Sequence, residues 1–434
     1  MILKTILISV IMALYAAAAA YASDISRLGD AGLSAILNLT ELHNPSIAAA
    51  REKVEQSRAD VGIASSQLGP TLTTGIQARW NDEPSSGAAR NVYSASLNLV
   101  QTIFAGGTLV ANKRAAELAL QAVRAESVRT YQNVLNSARV GYFDCQRASA
   151  QLYVSLEALE LAREHLRQTE ALNKAGIAAK GDVLRVKTSV SQAEIDHINA
   201  KTNLDLYWTA LERIIGVKIP KPGVPHSDSG DTIRGLRPPS FHMPDNVVDK
   251  ALSQRPEKQA YEFYGERARQ LISYASGQRL PNLSVSGQLG LTDEHFWPNA
   301  DDSWQVQMTL QWTLYDGGEA NSQVKKAKAS AREVLHQLED MEAQIRQEAA
   351  QAELNLRSSW ERLSVAKEQV MTAEEDYAIV LRRYKAQMGT NLDVLDARAA
   401  LTTSRTAYVN AVYDIAAAQA RVIYAIGEDI PHEN

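Results

Sequence analysis

Two kinds of hydrophobic periodicity alternate along this chain. Over residues 283–291 and again over 304–312, apolar and polar residues take turns. A period of two predicts strands with one apolar and one polar face. A weaker form of the same alternation covers residues 72–79 and 93–99. The pattern therefore predicts two pairs of strands.

The other apolar positions follow the period of a helix. Two long stretches contain no proline, residues 85–219 and 299–430, and each is interrupted once, near 176–181 and near 388–391. Each stretch predicts a helix of about 70 residues, roughly 100 Å long, and then one of about 35 residues. Spacings of four and three mark a coiled-coil seam in the second long helix. The seam residues are Ala327, Ala331, Val334, Leu338, Met341 and Ile345.

The whole pattern occurs twice, at a constant shift of 211 positions, so that Asn44 corresponds to Arg255. Because the shift contains no insertion or deletion, the architecture constrains spacing more strictly than residue identity. We predict a first structural repeat over residues 23–216 and a second over 248–434, which ends in a short C-terminal tail. A proline-rich strap over residues 217–247 is predicted to join the two repeats.

The first residues have the composition of a secretory signal peptide. Lys4 precedes an apolar run over residues 6–20, and Ala-Tyr-Ala at 20–22 is a small-x-small cleavage pattern. We therefore predict a signal peptide over residues 1–22. The run is shorter than the ~20 apolar residues of a spanning helix, and no other stretch approaches that length. The mature chain is expected to leave the cytoplasm without a helical anchor.

Composition and charge narrow the possible functions. With 45 basic and 50 acidic residues, the net charge of -5 does not suggest a basic face for nucleic acid. The single cysteine, Cys145, lies deep in a predicted helix, which favours a buried thiol over a disulfide. The eight histidines are scattered, and no nucleophile elbow is present. We therefore expect no metal site, no cofactor and no enzymatic activity.

Aromatic residues lie near the ends of the predicted strands. They are Trp80, Tyr93, Phe296, Trp297, Trp304 and Trp312. Alternating strands of ~9 to 11 residues with aromatic ends are typical of transmembrane β-strands. The same alternation also fits a soluble hairpin pair that covers a hydrophobic core. Since four strands do not close a barrel and lipid does not tolerate an open edge, spanning strands would have to be pooled by several copies.

A pair of glycines follows each pair of predicted strands, Gly106-Gly107 in the first repeat and Gly317-Gly318 in the second. Neither pair continues into the Gly-Lys-Ser/Thr sequence of a phosphate-binding loop. Glycine tolerates backbone conformations that sharp corners need. We therefore predict that these four residues turn the chain from strand into helix.

Together these features resemble the TolC family of outer-membrane efflux and secretion channels. The resemblance rests on the tandem repeats, on Pro70 and Pro281 before the strand pairs, on the glycine pairs, and on Tyr384 before Asp-Val-Leu-Asp-Ala at 393–397. It covers nearly the whole mature chain. It implies a mainly α-helical fold with a transmembrane β-barrel portion. In a homotrimer, four strands per subunit would make a twelve-stranded barrel, and the helices a long periplasmic α-barrel.

Two carboxylates mark a candidate gate. Asp393 follows the second helix break, where an Asp commonly caps a helix, but capping does not explain Asp396 one turn further along. In a threefold assembly the two positions would present a ring of carboxylates, which selects cations. In the family, carboxylates at the matching positions constrict the periplasmic mouth. We predict that crowding raises some of their pKa values.

The resemblance also implies that an outer helix pair tethers the inner pair shut. Asp182 is the equivalent acid in the first repeat, and Tyr384 is the matching tether on the other side. Some relatives have a basic tether residue shortly before the first acid of the ring. Residues 389–391 read Gly-Thr-Asn here, which leaves Lys180 and Asn391 as further candidates.

The partners that the resemblance implies are a second and third copy of the chain, outer-membrane lipid, a periplasmic adaptor and an inner-membrane transporter. The adaptor would contact the helix breaks near 176–182 and 388–393. The predicted function is a passive exit duct in the outer membrane, with a long periplasmic extension. The alternative is a periplasmic coiled-coil scaffold without a pore, for which the strands are superfluous. Small-molecule efflux and type I protein secretion are not separated by the sequence.

Overall fold

A computed structural model describes residues 30–80, 91–221, 235–295 and 301–429. The predicted signal peptide, Phe296 and Trp297 lie outside the described residues. So do residues 81–90, most of the loop between β-strands of the second pair, and part of the proline-rich strap.

The described residues form eight helices and four strands. The first half holds α1 (Asp30–His43), α2 (Pro45–Ser66), β1 (Thr71–Trp80), β2 (Asn91–Ala105), α3 (Thr108–Lys174) and α4 (Lys180–Ile215). The second half holds α5 (Val247–Gln254), α6 (Pro256–Gly277), β3 (Asn282–Asp293), β4 (Asp301–Gln311), α7 (Glu319–Lys385) and α8 (Asn391–Ile426). This mainly helical chain with two strand pairs confirms the predicted fold class.

The helix bounds reproduce the shift of 211 residues. The long helices α3 and α7 both have 67 residues, and α4 and α8 both have 36. One tertiary hydrogen bond occurs in both repeats as well. Asn44 donates through Nδ2 to the carbonyl oxygen of Ile214, and its counterpart Arg255 donates through Nε to that of Ala425. The same contact is therefore made in both repeats, by the side-chain amide of Asn44 in the first and by the guanidinium of Arg255 in the second.

The four strands form one antiparallel sheet in the order β1-β2-β3-β4, so β1 and β4 are its edges. Residues opposite each other in the register point to the same face. Leu72 pairs with Leu99, Leu97 pairs with Leu289, and Leu289 pairs with Trp304. Apolar side chains of all four strands therefore share one face of the sheet.

The apolar face of the sheet is largely exposed within one chain. On β4, Trp304, Val306, Met308 and Leu310 are 75%, 68%, 70% and 65% exposed, and Ile76 on β1 is 77% exposed. The opposite face of β4 carries the polar residues Asp301, Ser303, Gln305, Gln307, Thr309 and Gln311. A contiguous apolar surface of this kind marks contact with lipid or with another protein.

The chain divides into two compact units, and each unit draws on both repeats. One comprises residues 1–49, 128–255 and 344–434, and the other comprises 50–127 and 256–343. The first unit contains both helix breaks, and the second contains the sheet. The repeat boundaries at 23–216 and 248–434 describe the duplication and stay a prediction.

The core of the first unit consists of closely packed helices. Val154 of α3, Val370 of α7 and Val409 of α8 belong to one buried cluster. A second cluster joins α1, α3 and α4 and includes Trp208 and Cys145. Burial raises the pKa of the Cys145 thiol to about 12. The only cysteine is therefore a buried thiol with little thiolate character.

The four corner glycines lie between a strand and the long helix that follows it. Gly106 and Gly107 have φ angles of 62° and 79°, and Gly317 and Gly318 have φ angles of 66° and 91°. A Cβ atom on Gly106 would lie 2.1 Å from the carbonyl oxygen of Gly277, whereas a Cβ on Gly107 would meet open space. Gly106 is therefore required both by its left-handed backbone and by the lack of space for a Cβ atom. Gly107 is required by its left-handed backbone alone.

We expect Gly106→Ala to destabilise the protein more than Gly107→Ala. Both substitutions carry the left-handed backbone penalty of about 1 to 2 kcal/mol. Only Gly106→Ala adds a clash with backbone atoms, for which overpacking data suggest a further ~1 to 3 kcal/mol. Thermal unfolding of the two variants side by side measures the difference. Equal unfolding midpoints would contradict the close approach of Gly106 to Gly277.

Candidate gate at the helix breaks

The two long helices, α3 and α7, end at the breaks with the same backbone geometry. Gly176 after α3 and Gln387 after α7 are equivalent positions, and both are left-handed, with φ angles of 77° and 63°. The amide N–H of the next residue, Ile177 or Met388, bonds to the carbonyl five residues back. This is the Schellman arrangement that closes a helix C-terminus. At Gln387 the second break adopts it without glycine, at a cost of about 1 to 2 kcal/mol.

A capping box fixes the start of α8. Oγ1 of Thr390 accepts a hydrogen bond of 3.2 Å from the Asp393 amide, and the Asp393 carboxylate accepts one of 2.9 Å from the Thr390 amide. These bonds to Thr390, together with the charge of Arg383, lower the pKa of Asp393. The rise in pKa that the sequence predicts for the ring depends on carboxylates of other copies, so it stays a prediction. Within one chain only the local effect is present, and it lowers the pKa of Asp393.

Asp393 and Asp396 are exposed and line the same cleft, which has a volume of about 510 Å³. Asp376 and Arg383 of α7 line it too. Three carboxylates against one guanidinium give the cleft a negative potential, which attracts cations. Over the described residues, no group of three or more His, Cys, Asp or Glu side chains is placed to hold a metal ion. The negative potential of the cleft is therefore suited to attracting cations.

Asn391, the first residue of α8, connects three helices. Its side chain is buried, and its Oδ1 lies 2.7 Å from Nε2 of His165 on α3. Its Nδ2 donates to Oδ1 of Asp182 on α4, at 3.4 Å. Because an amide oxygen only accepts, Nε2 of His165 carries the proton of the first bond. The structure thus brings two of the tether candidates, Asn391 and Asp182, into contact.

Tyr384, near the end of α7, packs against α3. Its hydroxyl lies 3.4 Å from Oγ1 of Thr169, and its ring meets the His165 ring edge-on at 5.3 Å between centroids. Three tether candidates therefore gather around His165. The fourth, Lys180, is exposed at the start of α4 and makes no hydrogen bond or ion pair with the described residues. We call His165, Thr169, Asp182, Tyr384 and Asn391 the latch cluster.

His165 and Thr169 were not predicted from the sequence. They stand one turn apart on α3, and Thr169 also donates through Oγ1 to the backbone carbonyl of His165 at 2.9 Å. Their partners Asn391 and Tyr384 are more than two hundred residues away. No local sequence motif predicts these contacts. The only signal in the sequence is a lone His and a Thr on the inner side of a helix, close to its break.

Further along α8, charged side chains fasten the helix to its neighbours. Arg405 bonds to Glu157 of α3 at 2.9 Å and to Glu374 of α7 at 3.0 Å. Arg398 is 8% exposed and donates to the Ser189 hydroxyl of α4. Arg398 and Arg405 therefore connect α8 to three helices by polar contacts. Over the described residues, no helix contains a stretch long and apolar enough to cross a membrane.

The sequence matches a known family over most of its length. The sequence model of the outer membrane efflux protein family matches residues 36–217 and 247–428. The chain is 25% identical to outer membrane protein TolC of Escherichia coli (strain K12) over 420 residues, which cover 91% of this chain and 82% of that relative. It is also 25% identical to outer membrane protein TolC of Vibrio cholerae over 409 residues, 91% of this chain and 90% of that relative.

The fold is similar to solved outer-membrane proteins. The outer membrane protein VceC of Vibrio cholerae superposes with a TM-score of 0.76 at 21% identity, over 92% of this chain and 96% of that one. The open state of the MtrE outer membrane channel of Neisseria gonorrhoeae superposes with a TM-score of 0.79 at 19% identity, over 91% and 88%. At these identities the likeness concerns the fold.

Proposed function

The chain belongs to the outer membrane efflux protein family, and from that premise we propose that it is the exit duct of a tripartite export system. The protein is an efflux channel of the outer membrane with a long helical extension into the periplasm. Its family consists of channels rather than enzymes. In the proposed system, an inner-membrane transporter supplies the energy, and a periplasmic adaptor joins the transporter to this chain at the helix breaks.

The observation that carries the proposal is the four-stranded sheet, with one exposed apolar face, one polar face and two open edges. Lipid does not tolerate an open sheet edge. Three copies that place β4 of one beside β1 of the next would close twelve strands into a barrel. The apolar face would then contact lipid and the polar face would line a water-filled passage. A scaffold without a pore leaves this exposed face without a role.

The helix breaks would form the periplasmic mouth of the duct. Asp393 and Asp396 of three copies would surround the axis as a carboxylate ring that favours cations. The latch cluster would hold α7 and α8 against α3 and α4 in the closed state. Binding of the adaptor at the breaks would separate these helices and widen the mouth. A polar, water-filled passage need not bind its cargo specifically, so the duct suits small molecules and secreted proteins alike.

We expect replacement of both ring residues to weaken block by multivalent cations. In the Asp393→Ala, Asp396→Ala double variant, the affinity for hexamminecobalt(III) on the periplasmic side should fall at least about tenfold. A tenfold change corresponds to about 1.4 kcal/mol, and each carboxylate within about 4 Å of a cation supplies roughly 1 kcal/mol per unit charge even in water. Titration of single-channel current with the cation measures the affinity.

Asp205→Ala is the matched control for the ring variant. Asp205 is an exposed carboxylate of α4 that pairs with Lys221 at 2.8 Å, away from the breaks. Its replacement removes one negative charge per chain and should leave the block unchanged. Equal block of the wild type and the double variant would contradict the proposed ring.

A further inference from the structure

His165 is closed off from water and bonded on one side only. It is 2% exposed, and its Nε2–H donates to Oδ1 of Asn391 at 2.7 Å. Its other ring nitrogen, Nδ1, is buried and has no hydrogen-bond partner among the described residues. A second proton on this ring would therefore add a charge and an N–H donor where nothing accepts either of them.

The surroundings of His165 also disfavour a positive charge. Tyr384 of α7 packs on the ring, and Arg398 of α8 brings a buried guanidinium that forms no ion pair with the described residues. The carboxylate of Asp182 on α4 bonds to Asn391, which separates it from His165 in the chain of hydrogen bonds. On α3 itself, Glu164 is exposed and bonds to Arg167. Burial, and secondarily Arg398, lower the pKa of His165, although the bond to Asn391 opposes this.

We propose that His165 is the proton-binding site that unlatches the helix breaks: acidification protonates its ring, drives the ring out of the latch cluster and frees Asn391 from both His165 and Asp182. This inference rests on the proposed function, because it assigns the latch cluster to the closed mouth of the duct. A falling periplasmic pH would then favour the open mouth, with no change in the adaptor.

The direction follows from linkage between protonation and opening. In the closed state the pKa of His165 is lowered, and in the open state a hydrated ring has its ordinary pKa of about 6.5. His165 therefore favours closure above pH 6.5, and this contribution is lost as the pH falls towards the lowered value. One unit below the ordinary pKa, at pH 5.5, the ratio of open to closed mouths should be higher, by up to about tenfold for each His165.

The test compares conductance at pH 7.5 and 5.5 in planar bilayers, with full-length protein carrying Asp393→Asn and Asp396→Asn. These substitutions remove the titrating carboxylates of the ring. In this background the open probability should rise at pH 5.5, by up to about tenfold for each His165. Adding His165→Gln should remove the rise, because a glutamine amide donates to Asn391 but binds no proton in this range. An equal rise with His165→Gln would overturn the proposal.

His336→Gln is the matched control, because the His336 side chain is 76% exposed. In this variant the rise in open probability at pH 5.5 should be retained. Hydrogen exchange of the wild type, corrected for the intrinsic effect of pH, supplies a second readout. Protection of residues 386–393 should fall at pH 5.5, and unchanged protection would overturn the proposal even where His165→Gln disturbs the latch cluster. Absence of current from every variant would contradict the proposed function as a duct. Hydrogen exchange alone would then test whether His165 is the proton-binding site.

Discussion

Val306→Arg should abolish insertion into the outer membrane, whereas Gln307→Arg should leave it intact. Val306 is at the middle of β4, 68% exposed on the apolar face, and Gln307 is its neighbour on the polar face. On the lipid face of a barrel, an arginine near the midplane costs about 2 to 4 kcal/mol. Three copies would each carry this cost in one assembly. On the polar face the same side chain is expected to reach water.

The two variants form a matched pair, because they place the same residue at adjacent positions of one strand. The measurement is the fraction of protein that resists urea extraction from purified outer membranes, normalised to total expression. The account expects near-complete loss for Val306→Arg and a wild-type fraction for Gln307→Arg. Equal insertion of both variants would contradict the assignment of the apolar face to lipid.

Asn391→Ala should open the mouth of the duct. The substitution removes the bond to His165 and the bond to the Asp182 carboxylate. It leaves the buried Nε2–H of His165 without its acceptor. A hydrogen bond contributes about 0.5 to 1.5 kcal/mol, and one to a charged group about 1.5 to 3 kcal/mol. Since 1.4 kcal/mol is a factor of ten, the open fraction should rise at least about tenfold.

Asn410→Ala is the control for this prediction. Asn410 is also on α8, and its Oδ1 accepts a hydrogen bond of 2.7 Å from Gln151 of α3. The control therefore removes an asparagine that joins the same two helices away from the breaks. Its single-channel current should match that of the wild type. An Asn391→Ala variant that conducts no more than the Asn410→Ala variant would contradict the role of the latch cluster.

The elements of the fold follow from local patterns in the sequence. The period of two over residues 283–291 and 304–312 predicted β3 and β4, and the spacing of prolines predicted the long helices and their breaks. The family resemblance implied Tyr384 as a tether and left Asn391 as a further candidate, and the structure puts both in the latch cluster. Local periodicity is readable because strands and helices impose it on every few residues.

The contacts within the candidate gate follow from tertiary packing, which local patterns do not encode. Asn391 bonds to His165 across 226 positions of sequence and to Asp182 across 209. His165 carries no motif, and its partners Tyr384 and Asn391 belong to helices more than two hundred residues later. The lowered pKa of Asp393 has a local cause, since Thr390 and Asp393 form a capping box that the sequence spells out.

The most direct test of the central claim is single-channel current from the purified wild type beside Asn391→Ala in planar bilayers. The account predicts that the wild type conducts in small, infrequent, cation-selective steps, and that Asn391→Ala shows large and sustained ones. A passage closed mainly by the latch cluster requires both results. Well-folded trimers that carry no current in either form would contradict a conducting duct gated at the helix breaks.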